Sequence, residues 1–234
     1  MRIHSRKSIG SLLVSFFILT PALQIVAAAG GPPPLYDDLG DLHYEISANT
    51  ASQAYFDQGM RLYYAFNHAE AITAFREAQR LDPDCAMCWW GEALAFGPNI
   101  NLAMSHSNGV AAYSAAQKAL SLSSKVSSKE QQLINALAVR YEPNPGADRT
   151  TLDSAYADAM QLLAAKYPHD DEIVVLYAEA VMDLNPWDYW TGDRQLRPRL
   201  QTALAGLEQV MERSPYHPGA VSYTHLTLPT IYSV

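Results

Sequence analysis

The chain has 234 residues, 49% of them apolar and 17% charged, with 16 Lys and Arg against 24 Asp and Glu for a formal charge of −8. That composition belongs to an ordered chain that buries a core or a row of packed repeats. The negative balance argues against nucleic acid or an anionic lipid surface as the main partner, and favours cations or basic proteins.

Residues 1–29 read as a secretory signal. Arg2, Arg6 and Lys7 precede the largely apolar run from Ile9 to Ala28, and Ala27-Ala28-Ala29 supplies an A-x-A cleavage pattern before Gly30. The run approaches bilayer-spanning length. Pro21 and the small-residue site favour cleavage over a retained anchor, and no Cys stands at the cleavage point to take a lipid. The mature chain, at about −11 without those three basic residues, is expected to be periplasmic or secreted with no membrane attachment.

Residues 30–50 are expected to be a linker and extended segment. GGPPP cannot be helical, because proline lacks the amide donor and restricts its neighbour. His43–Ile46 reads as a short extended piece laid against the first helix, and Asn49 or Thr50 is placed to cap that helix. Helices then come in pairs: about 51–65 with 68–80, 85–96 with 108–121, 128–141 with 149–166, and 171–184 with 196–213. Ser127 and Glu130 have capping-box spacing, and one of Trp89 and Trp90 should be core.

Tyr55, Gly59, Leu62, Ala71, Phe75 and Pro83 fall on the tetratricopeptide spacing W-x2-L-G-x2-Y…A-x3-F…P, which restarts 34 residues later at Trp89 and Ala93. Ala178, Ala203 and Leu207 hold matching slots in the last pair. The fold expected over 51–220 is therefore all-α, a tetratricopeptide-like solenoid of about four helix pairs, broken off at the start of a fifth. Pro83, Ser124, Pro168 and Pro215 end successive repeats at spacings of 41, 44 and 47, so the later repeats carry insertions of 7, 10 and 13 residues. All three insertions fall between the two helices of a pair, which should make them neighbours on one edge. Asn99, Asn101, Trp187, Asp188 and Trp190 in them are the candidate partner-binding residues, although loops also lengthen at little entropic cost. The Trp and Tyr residues would serve equally to plug the groove of a repeat stack.

The only two cysteines form Cys85-Ala-Met-Cys88 at a helix start. Residues at i and i+3 are close enough for a disulfide or for two ligands of one metal. Three readings stay open: a structural disulfide, a soft-metal site holding Cu(I) with Met87, and a redox pair, for which the βαβ context is missing. Met104 and His106 lie in the loop after the same helix, which begins roughly 12 Å from Cys88, so only a loop folding back along the helix would bring them to the pair. His43 and His68 read as isolated structural histidines. The chain contains no G-x-S-x-G, H-E-x-x-H or phosphate-binding glycine loop.

The runs DCAMCWWGEALAFGPNIN, LYAEAVMDLNPWDYW and SPYHPGA resemble a family of exported bacterial tetratricopeptide-repeat proteins over about residues 40–220. The resemblance implies the solenoid fold and export, and carries over no reaction. Family members continue past HPGA into further helices with recurrent histidines. Here VSYTHLTLPT at 221–230 instead resembles the translation of a transposase-based sequencing adapter, so 221–234 is expected to be a non-native tail, unlike any helical repeat.

The function expected is a scaffold that binds a protein or peptide through its groove or its inserted-loop edge. Copper binding through Cys85, Met87 and Cys88 is the alternative. A third reading is the N-terminal part of an enzyme completed by sequence beyond this chain.

Overall fold

Polar capping residues set where the helices begin. In the computed structural model, which describes residues 31–144 and 146–227, the Asn49 side chain accepts from the Ser52 amide and starts α1 (Thr50–Tyr64). A tight turn follows. Phe66 adopts φ +58°, its amide donates to Tyr63 and that of Asn67 to Leu62, a Schellman closure with Phe where glycine is usual. α2 (His68–Leu81) then packs Ala71, Ala74, Phe75 and Ala78, spaced three and four apart, against α1.

The Phe75 ring explains two of the repeat glycines. A Cβ at Gly59 of α1 or at Gly91 of α3 (Ala86–Phe96) would stand 2.5 Å from it. The ring is wedged where three helices meet. Ser105 caps α4 (His106–Leu122) two residues earlier than the sequence suggests, and Ala112, Ala115, Ala116 and Ala119 give it a smooth buried face. After the 3-10 turn Ser123–Lys125, the Ser127–Glu130 capping box opens α5 (Ser128–Ala138) as expected. α5 stops short of residue 141, because Arg140 and Tyr141 turn inward to other partners.

Asp148 caps α6 (Arg149–Lys166), Asp170 caps the almost wholly buried α7 (Asp171–Met182), and Pro198 opens α8 (Pro198–Arg213). The leader reading at 1–29 and the last seven residues lie outside the described residues. Among the described residues no helix is long and apolar enough to cross a membrane.

A further helix, α9 (Pro218–Thr227), runs into the first seven residues of the tail. The His217 ring nitrogen accepts from the Ala220 amide and caps it, and the Tyr223 ring packs on Tyr64 and Phe66. Among the described residues the chain is all-helical, with no strand. Each helix packs on the next, α3 also meets α1 and α5, and α9 meets α7 and α1.

α1 and α7 face each other through buried polar pairs. Tyr63 donates to Glu179, and Tyr64 donates to Glu172 over 2.6 Å. These residues precede the tail, so the pairing does not depend on it. A strap, residues 33–48, lies along α1, so that this face of α1 is occupied by the chain itself.

Candidate functional site

The three insertions meet at one buried arginine. Arg140, 1% exposed, stands at the root of the second insertion. Its Nε donates to Asp153 and its Nη2 to Asp183 at the root of the third, both over 2.8 Å. Nη2 also reaches the Pro98 carbonyl at the root of the first, over 3.2 Å. Arg149 bonds both the Arg140 carbonyl and Asp153, and Tyr141 donates to the Ala93 carbonyl. Gly97 is required here, since a Cβ would lie 2.6 Å from the Tyr141 hydroxyl.

Burial opposes the charge of Arg140, but the carboxylates, Asp183 first, outweigh it and hold the guanidinium charged. Burial pushes Asp183 up to about 6 against the pull of Arg140. One turn earlier, burial and then the Asp183 charge push Glu179 up to about 8. Both carboxyls therefore take up a proton more readily than an ordinary carboxylate, Glu179 the more so. The sequence contains these residues with no motif to mark them.

The predicted loop residues divide. Asn99 is buried and uses its side-chain oxygen to close its own turn on the amides of Asn101 and Leu102. Trp190 is half-buried and bridges to Leu196. Asn101 is exposed, Asp188 is exposed and paired with Arg197, and Trp187 is 59% exposed at φ +64°. Leu102 and Val139, which sequence reading did not single out, are 66% and 45% exposed. The first and third insertions, and the end of α5 that leads into the second, thus each show one large apolar side chain to solvent near roots tied by Arg140.

Cys85 and Cys88 form a disulfide, and both, with Met87, are fully buried. This is the disulfide among the three readings, and in this state neither sulfur is a thiolate. The pair begins α3, whereas Gly97 at the other end of α3 meets Arg140, so the cysteines and the insertions occupy opposite edges.

On the cysteine edge, a cavity of about 700 Å³ opens between strap residues 40–44, the turn before α7 and the turn before α9. Three histidines line it. His43 is not isolated: its Nδ1 donates to the buried Asp57 over 2.7 Å. His169 is exposed. His217 is closed off, its Nδ1 accepting from Ala220 and its Nε2 donating to Glu172 over 3.1 Å. No nitrogen of His217 is left to act as a base. The Ser214 hydroxyl is likewise engaged, donating to Asp171. Among the described residues no three His, Cys, Asp or Glu side chains converge as a metal site.

The strap forms the fourth side of this edge. Gln53 accepts from the Ile46 amide and donates to the Tyr44 carbonyl, both over 2.9 Å. Gln58 repeats the arrangement, accepting from Tyr36 over 2.8 Å and donating to Pro34 over 2.9 Å. Between them Asp57 accepts from the Tyr44 amide, and Arg61 grips the Leu42 carbonyl with two donors. Glu130, beyond its capping role, accepts from both the amide and the hydroxyl of Ser47. Compared with known proteins, the chain matches no family model, no curated protein and no solved structure.

Proposed function

We propose that this chain is an exported tetratricopeptide-like scaffold that binds a protein or peptide partner on its inserted-loop edge. One observation carries the reading: Leu102 in the first insertion, Val139 at the end of α5 just before the second and Trp187 in the third are exposed around roots that converge on the buried Arg140. Single exposed apolar residues are ordinary, as Leu162 on α6 is at 74% exposure. What distinguishes these three is their shared anchoring, which presents them without the ordering cost of three independent loops. The occupied face of α1 favours this edge over the groove.

In-cell photo-crosslinking tests the reading. A photoreactive residue at position 102, 139 or 187 is expected to capture the same partner from each position, while one at Leu162 captures none. Capture that is no stronger from the loops than from Leu162 would remove the basis for the proposal.

A further inference from the structure

Much of the hold of α1 on the strap is through the strap's backbone. Gln53, Asp57 and Arg61 lie on one stripe of α1, four residues apart, and bond the main chain of Ile46, Tyr44 and Leu42 in turn. The periods match. Four helical residues rise about 6.0 Å, and two residues of an extended chain advance about 6.6 Å, so the two steps that join the three contacts stay in register with a mismatch near 1 Å. An antiparallel extended chain therefore fits this stripe whatever its sequence. Gln53 and Gln58 each join a carbonyl at one strap residue to the amide two residues on, a second sign that the helix reads main chain.

Side-chain selectivity comes from alternation. Tyr44 and Ile46 are buried and Leu42 and Ala48 half-buried, whereas Asp41, His43, Glu45 and Ser47 are exposed. The strap thus buries apolar residues at every second position, with the Tyr44 ring lying beside Lys129 of α5.

We infer that this face of α1 is a receptor for an extended peptide segment with apolar residues at three alternate positions, and that residues 42–48 are its resident occupant. A partner segment binds by displacing them. The chain N-terminal to the ladder suits release: residues 37–39 form bends, Gly40 sits at φ +83°, and the cavity of about 700 Å³ beside residues 40–44 leaves room for a longer occupant. A second copy donating its own strap is disfavoured. Ser47 is bonded to Glu130, and Asn49 both caps α1 and bonds Asp82 and Leu81, so no hinge separates strap from helix. This receptor is separate from the inserted-loop edge, and neither proposal rests on the other.

The test uses the full mature chain with Leu42→Ser, Tyr44→Ser and Ile46→Ser together, and a labelled synthetic peptide of residues 40–49 as probe. The opened variant is expected to bind the peptide, and Gln53→Ala in that background to weaken binding at least tenfold. A peptide with the three apolar residues replaced by Ser should not bind. The unaltered chain should bind about 100-fold more weakly than the opened variant, because a tethered strap competes at an effective concentration on the order of millimolar. Amide exchange in the unaltered chain supplies a second readout, independent of whether the variant folds: the amides of Tyr44 and Ile46 should exchange faster than that of Met60 in α1. A folded variant that ignores the peptide, or strap amides that exchange no faster than Met60, would overturn the inference. Concentration-dependent dimers that exchange straps would also overturn it, by assigning the face to a second copy.

Discussion

Replacing Arg140 with Met removes the one side chain that touches the roots of all three insertions. Its side chain and that of Asp183 are 1% and 2% exposed, so the substitution leaves Asp183 in the interior without its cationic partner, to carry an unpaired charge or take up a proton. Asp153 fares better, because Arg149 still donates to it. Removing one member of a buried pair costs about 3–5 kcal/mol, a large share of a typical folding free energy of about 5–15 kcal/mol. Adding Asp183→Asn removes the orphaned charge and should recover about half of that loss. Lowering the pH from 7 to 5.5 should narrow the gap between Arg140→Met and the parent, since protonation then relieves Asp183. Urea denaturation at the two pH values measures all of these quantities. Limited proteolysis supplies the structural readout, with cleavage expected to rise together in 98–105, 142–148 and 185–197. A loss below about 1 kcal/mol, or loops that loosen independently, would refute the argument that one arginine organises the edge.

Three other outcomes follow from the packing and the buried acids. Gly59→Ala or Gly91→Ala gains about 1 kcal/mol in helix propensity, but presses a methyl group on a Phe75 ring bounded on both sides. Each should lower stability by about 1–2 kcal/mol in thermal melts, with the loss shrinking in a Phe75→Leu background. Glu179 has a raised folded pKa of about 8, so the native state holds its proton more tightly and stability falls as pH climbs from the ordinary carboxylate range to about 8. The parent should lose ~3 kcal/mol between pH 5.5 and 8.5, and Glu179→Gln no more than about 1 kcal/mol over the same range. Cys85→Ser with Cys88→Ser opens a very short loop and should cost about 2 kcal/mol. Metal analysis should find no stoichiometric copper on the oxidised protein; copper bound with the disulfide intact would contradict its burial.

The helices were legible because each carries a local signal. The capping box at Ser127 and Glu130, the Asn49 cap and the Gly59–Phe75 spacing are written in neighbouring residues, and the helix pairs follow within a few positions. His43–Ile46 was legible as an extended piece on α1 for the same reason. Contacts between distant residues were not. Arg140 meets Pro98 and Asp183 across 42 and 43 residues, and Tyr63 meets Glu179 across 116, with no periodicity to connect them. His43 looked isolated because Asp57, its partner, lies 14 residues on in a helix that the strap folds back against. Leu102 and Val139 could be weighed only once exposure was known, since nothing in their flanking residues separates them from core.

The affinity of the partner captured from the inserted-loop edge tests most directly whether that edge is the binding surface. Titration of that partner against the mature chain and against Leu102→Ser, Val139→Ser and Trp187→Ser combined should show a loss of at least 100-fold, with the melting curve of the variant unchanged. An affinity within about twofold of the parent would contradict the assignment of this edge as the binding surface.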